Sequence, residues 1–152
     1  MARHFSLAFG LIAAAALTGC ATSRVPAFNA AAITPAELLP GQTAVITVEV
    51  RDHHRIISRI DGAVEGYPDL TFRLRDDGVA PDAVGDDGTW TMDVSVPFTA
   101  PAGEHTIRFR AYDSRGRVIP VPDAEGNATE LSTDISVRIT YPETPAEPAP
   151  AE

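Results

Sequence analysis

The stretch Thr43-Ala44-Val45-Ile46-Thr47-Val48-Glu49-Val50-Arg51 decides the fold. Its even positions, Ala44, Ile46, Val48 and Val50, are apolar, while Thr43, Thr47, Glu49 and Arg51 stand between them. A period of two is what a strand needs to bury one face and wet the other. The same alternation recurs along the chain. Leu70, Phe72 and Leu74 alternate with Thr71, Arg73 and Arg75, and Trp90, Met92, Val94 and Val96 with Thr89, Thr91, Asp93 and Ser95. Ile107, Phe109 and Ala111 alternate with Thr106, Arg108 and Arg110, and Ile135, Val137, Ile139 and Tyr141 with Asp134, Ser136, Arg138 and Thr140. Shorter candidate strands lie at 30–34, 55–60 and 117–121.

No segment after residue 19 keeps a helical period. Prolines 35, 40, 68, 81, 97, 101, 120 and 122 fall between strands or at their ends, where a missing N–H does least harm to a ladder. About seven short antiparallel strands predict an all-β, immunoglobulin-like sandwich of two sheets over residues 30–141. Its core is expected to hold Ile46, Phe72, Trp90, Val94, Ile107, Phe109, Val137 and Ile139.

Outside that span the chain changes character. Residues 1–19 open with Arg3 and His4 and continue through an apolar run from Phe5 to Leu17. That run has the length of a signal-peptide core and is short for a membrane-spanning helix. Residues 20–29 read as a tether. Residues 142–152 contain only Pro, Glu, Ala and Thr144, a composition that reads as an extended, disordered tail.

The chain has one cysteine, so no internal disulfide is open to it. Cys20 follows Leu17-Thr18-Gly19 at the close of the apolar run. An apolar residue, two small residues and a cysteine in that order resemble the lipobox of bacterial lipoproteins. The resemblance implies cleavage before Cys20, palmitate or a similar acyl chain on that cysteine, and a membrane anchor in the cell envelope. Ala21 stands where an aspartate would resemble an inner-membrane retention signal, so the outer membrane is favoured.

Charge narrows the partners. The net charge is −9, all twelve cations are arginine, and loss of Arg3 with the signal takes it to −10. Such a chain repels polyanions, which argues against nucleic acid. An envelope protein or a glycan is the expected partner.

One loop holds most of the chemistry. Between the Phe72 and Trp90 strands the chain reads Asp76-Asp77-Gly78-Val79-Ala80-Pro81-Asp82-Ala83-Val84-Gly85-Asp86-Asp87-Gly88. It resembles the acidic loop of exported choice-of-anchor domains, in which Asp-Asp-Gly is followed by another Asp, then Gly-Asp-Gly and an aromatic. Here one extra Asp is present. Segments 33–42 and 103–116 likewise resemble the opening and the penultimate strand of bacterial immunoglobulin-like modules.

Two physical readings of the loop stand side by side. Aspartates bonding nearby amides, with glycines free to adopt positive φ, make a compound turn. Alternatively Asp76, Asp77, Asp82, Asp86 and Asp87 converge on Ca²⁺, a hard cation that suits carboxylate oxygens. The EF-hand spacing is not met.

Other constellations are thinner. His53, His54 and His105 suggest a three-histidine metal site only if the fold gathers them. Arg73, Arg75, Arg108, Arg110 and Arg138 fall on polar faces, open to cross-strand pairing with Glu49, Asp93 and Asp134 or to an anionic ligand. Trp90 reads as a buried anchor or as a sugar-stacking platform. No nucleophile with a positioned base, phosphate loop or cofactor fingerprint is visible, so catalysis is not expected. The expected function is a lipid-anchored binding or structural module, with calcium-dependent adhesion or carbohydrate contact as the alternative.

Overall fold

The computed structural model describes residues 25–142, and none of these is helical. The segment read as an export signal, Cys20 and the residues past 142 read as a tail lie outside the described residues. Ten strands follow in order: β1 Ala27–Thr34, β2 Glu37–Leu38, β3 Thr43–Arg51, β4 Arg59–Val64, β5 Tyr67–Arg73, β6 Thr89–Ser95, β7 Gly103–Tyr112, β8 Pro120–Pro122, β9 Ala128–Glu130 and β10 Ser132–Ile139. Seven are long, as the alternation predicts, and β2, β8 and β9 are short additions.

Two sheets make the sandwich. One has the order β1-β3-β6, the other β2-β10-β7-β4-β5, and β8 and β9 form a separate hairpin. Pairing is antiparallel except between β2 and β10. This is the predicted all-β, immunoglobulin-like arrangement. The entering chain is divided between the sheets: β1 lies beside β3, and after Pro35 the chain joins β10 as β2.

The apolar faces meet between the sheets. Ile46, Val48, Ile60, Phe109 and Ala111 are fully buried, with Leu38, Leu74, Ile107, Val137 and Ile139 around them. Of the expected core, Phe72, Trp90 and Val94 are only partly buried and pack against its flank. Phe72 lies on β5 and Trp90 and Val94 on β6, both at sheet edges where one side lacks a neighbouring strand. All of these core residues lie within the described segment, so it supplies its own core.

Three boundaries differ from the sequence reading. β1 begins at Ala27 rather than residue 30, because Ala27 pairs with Arg51 and Phe28 with Val50 before a bulge at Asn29. Residues 27–29, read from the sequence as tether, belong to this strand. The strand expected at 117–121 lies at Pro120–Pro122, and the one expected at 55–60 lies at Arg59–Val64. The centre of this last strand is Gly62, where an added Cβ would sit 2.5 Å from the Phe109 ring. The glycine makes room for that ring and thereby removes the apolar alternation from the strand.

Register places the functional candidates at two ends. Ala27, Arg51 and Thr89 mark one end of the first sheet, and Thr34, Thr43 and Ser95 the other. The acidic loop and the start of β1 share the first end, here called the near end. The turns at 39–42, 65–66 and 96–102 share the far end.

Candidate functional site

The acidic loop is built on its own backbone. Asp76 accepts the Asp87 N–H through Oδ1 (3.2 Å) and the Gly88 N–H through Oδ2 (3.0 Å). Asp82, 4% exposed, accepts the Gly78 N–H at 2.6 Å and the Val84 N–H at 3.3 Å. Asp77 accepts the Val79 N–H at 3.0 Å, and Asp87 accepts the Thr89 N–H at 2.7 Å. Each of these carboxylates satisfies amides that a tight turn leaves without partners.

Gly85 and Gly88 serve different needs. A Cβ on Gly85 would meet the Asp77 carbonyl carbon at 2.8 Å and the Gly78 nitrogen at 2.9 Å, so two stretches of backbone touch there. Gly88 has φ of +89° while its carbonyl accepts the Val50 N–H at 2.9 Å, fastening the loop to β3. The extra aspartate, Asp86, takes φ of 62°, a region that aspartate tolerates better than most residues. Its carboxylate lies 3.7 Å from Arg55.

Of the five aspartates read as calcium ligands, the structure gathers three. Asp76, Asp82 and Asp87 each present a carboxylate oxygen within 4.8 Å of the other two. Asp77 instead approaches Arg75 at 3.6 Å, and Asp86 approaches Arg55. Burial pushes the Asp76 carboxyl above its ordinary range, the amides of Gly88 and Asp87 oppose that rise, and the charge on Asp82 adds to it.

The same device closes other turns. Asp113 Oδ1 accepts the N–H groups of Arg115 (2.9 Å) and Arg117 (3.0 Å). Asp123 Oδ1 accepts those of Glu125 (3.0 Å) and Asn127 (2.7 Å). Gly116 and Gly126 take the positive φ that follows in each turn. The amides of Arg117 and Asn127 lead in holding these two aspartates below their ordinary pKa range.

The histidines are not gathered. His53 lines a polar cleft at the near end with Asp52, Asp76 and Trp90, and His54 is exposed in the same turn. His105 stands at the far end. The arginines pair across the outer face of the larger sheet: Arg108 with Asp134, Arg110 with Glu130, and Arg59 and Arg73 with Asp61. Asp134 is an expected partner, while Asp61 emerges from the register of β4 and β5 and Glu130 from the β8-β9 hairpin. Glu49 and Asp93 lie in the smaller sheet, apart from these arginines.

At the far end lies a feature that the alternation does not indicate. A cavity of about 370 Å³ enters between the sheets, with Ile33, Leu38, Val96, Ile107, Val137 and Ile139 on its floor and walls. Tyr67, Leu70 and the 97–101 turn surround its mouth. Tyr67 is 42% exposed, Leu70 43% and Phe98, in that turn, 81%. Tyr141 ties the turn down, its hydroxyl donating to the Ala100 carbonyl at 2.7 Å. Two polar groups of the lining are engaged: His105 Nε2 lies 2.9 Å from the Pro101 carbonyl, and Ser95 Oγ 3.1 Å from Thr43 Oγ1.

The chain matches no known family model, and no curated protein matches it in sequence.

Proposed function

We propose that this chain is a non-catalytic binding or structural module of the bacterial cell envelope, anchored by lipid on Cys20. The anchor rests on Leu17-Thr18-Gly19-Cys20 closing the apolar run. The observation that carries the binding role is the opposition of the two ends. The chain enters β1 at the near end, and the apolar cavity opens at the far end. A module held by its N-terminus thus presents the cavity away from its attachment. Ala21, rather than an aspartate, after Cys20 supports the outer membrane as its location.

A protein partner suits the far end better than a glycan. Sugar recognition needs several hydrogen-bonding groups beside a ring face, whereas this lining is largely aliphatic, and His105 and Ser95 within it are already bonded. A calcium-dependent adhesion module is the second reading, supported by the convergence of Asp76, Asp82 and Asp87. The turn reading accounts for more of the loop, because amide bonds occupy each of those carboxylates.

The anchor is tested by replacing Cys20 with Ala in cells fed labelled palmitate. Two acyl chains give stable attachment where one is marginal. The variant is expected to lose the label and to remain unprocessed or leave the membrane fraction. Retained label together with membrane fractionation would overturn the anchor.

A further inference from the structure

The near-end cleft, about 350 Å³ in volume, is walled by charge. Half-buried Trp90 and buried Ile57 supply its apolar surface. Around them stand Asp52, Asp76, Asp86 and Asp87, with Arg51 and Arg55 among them. The end of β3, the turn that follows it, the acidic loop and the start of β6 all contribute. The bond from the Val50 N–H to the Gly88 carbonyl holds the loop against β3.

Asp52 accepts the Ile57 N–H through Oδ2 at 2.6 Å, but its Oδ1 is shut away from solvent and has no donor. Among the described residues it is the one carboxylate oxygen left so. A buried anionic oxygen without a donor is costly, and an N–H group from a ligand would satisfy it. Arg55 (φ 51°) and Asp86 (φ 62°) are the two non-glycine residues of the described chain in the left-handed region, and both line this cleft. Strained backbone of this kind gathers at ligand clamps.

The cations of the cleft leave its carboxylates open. Arg55 stands 3.7 Å from Asp86. Among the described residues, neither its side chain nor that of Arg51 hydrogen-bonds any of the four aspartates. Asp87 holds the Thr89 N–H through Oδ1 at 2.7 Å, which leaves Oδ2 uncommitted. Carboxylates outnumber guanidiniums in the lining, so the cleft carries a surplus of negative charge.

Negative charge, an aromatic face and open acceptors together select an organic cation that carries N–H groups. A guanidinium suits them best, because it is planar, stacks on an indole and donates to two carboxylates at once. We propose that the near-end cleft binds a ligand through a guanidinium group, of the kind an arginine side chain carries, stacked on Trp90 and donating to Asp52 and Asp87. The site lies at the opposite end from the apolar cavity and depends on neither that cavity nor the lipid. Because Asp52 Oδ1 is covered, the entering group must displace part of the exposed turn 53–55, the strained Arg55 included.

The test uses residues 20–152, which contain the whole core, with Cys20 alkylated. Trp90 is the chain's single tryptophan, so its fluorescence reads this cleft alone, and amide NMR maps the contact. The probes are acetyl-arginine amide, acetyl-lysine amide and acetyl-citrulline amide, the last a neutral isostere of the first. At low salt the arginine probe is expected to change Trp90 emission saturably and to shift the amides of Asn29, Asp52, Gly88 and Trp90. It should bind about tenfold more tightly than the citrulline probe, and more tightly than the lysine probe. Raising the salt should shrink its preference over citrulline by screening. Asp52→Asn, which keeps an oxygen for the Ile57 N–H, should weaken arginine binding about tenfold. Asp87→Asn, at an exposed position, provides a second variant and should weaken it about threefold.

Equal binding of the arginine and citrulline probes, shifts confined to the far end, or full binding by both variants would overturn the proposal. Lysine binding as tightly as arginine would overturn the guanidinium assignment. Displacement of the arginine probe by equimolar calcium would also overturn it, by assigning these carboxylates to a metal.

Discussion

Asp76 and Gly88 close the acidic loop across twelve residues, the Asp76 carboxylate accepting the Gly88 N–H at 3.0 Å. The same carboxylate holds Asp87, and Gly88 in turn is bonded to Val50. Asp76→Ala is therefore expected to leave two amides without acceptors and to cost about 1–3 kcal/mol in a urea melt. An unchanged melt would show that the loop is held from elsewhere.

The raised pKa of Asp76 gives its own pH signature. The folded state takes up this proton more readily than the unfolded chain, whose value is near 3.8. Above that value the folded chain holds the extra proton, so this group's contribution to stability falls as pH rises toward the folded pKa. Replacing Asp76 with Asn removes that contribution. The difference in stability between wild type and variant should change across this window and be flat above it.

Calcium separates the two readings of the loop by a melting curve. An ion bound only by the folded state at one hundred times its dissociation constant adds about 2.7 kcal/mol, a rise of several degrees. With amide bonds on Asp76, Asp82 and Asp87, millimolar calcium and EDTA are expected to give the same curve. A calcium-specific rise, with magnesium doing less, would move the function toward adhesion.

Gly62 and Phe109 form a matched pair in the core. Phe109→Ala should cost about 3–5 kcal/mol, since the ring is fully buried. Gly62→Ala should cost about 1–3 kcal/mol, because its methyl would meet that ring at 2.5 Å. Combining the two should cost less than their sum, as the cavity left by the ring admits the methyl. Simple additivity in chemical denaturation would refute the pairing.

Arg108 and Asp134 test the outer face. The Arg108 guanidinium holds the Asp134 carboxyl below its ordinary range. That contribution is fully present above the unfolded value of 3.8 and is lost as pH falls through the folded one. Both side chains are 43% exposed, so a double-mutant cycle at neutral pH should return only the weak coupling of a solvated pair, and added salt should shrink it. A strong, salt-insensitive coupling would mean that the pair is shielded from water.

The sequence made some elements plain and concealed others for physical reasons. β3 has the predicted bounds because it is central in its sheet and its alternation is complete. On β5 and just beyond it the same pattern could not separate exposed Leu70 from buried Leu74, since alternation identifies a face but not how far the opposing sheet extends over it. The acidic loop was legible as a loop, and its amide bonds follow from Asp and Gly chemistry. That only three of its five aspartates converge depends on Arg55 and Arg75, whose approach is set by the fold. The far-end cavity was not legible at all. It arises between two edge strands beside the 97–101 turn, and no local spacing records how far those strands stand apart.

The division of the entering chain between two sheets bears on how the protein carries load. A pull on the residues before Val25 runs along β1, whose ladder with β3 extends from Ala27 opposite Arg51 to Thr34 opposite Val45. Bonds lying across the direction of pull are strained together, so the ladder resists by shear instead of peeling one rung at a time. Past Pro35 the tension passes into β2 and reaches the other sheet through the parallel contact with β10. The strand that enters first thus acts as a strap across both sheets.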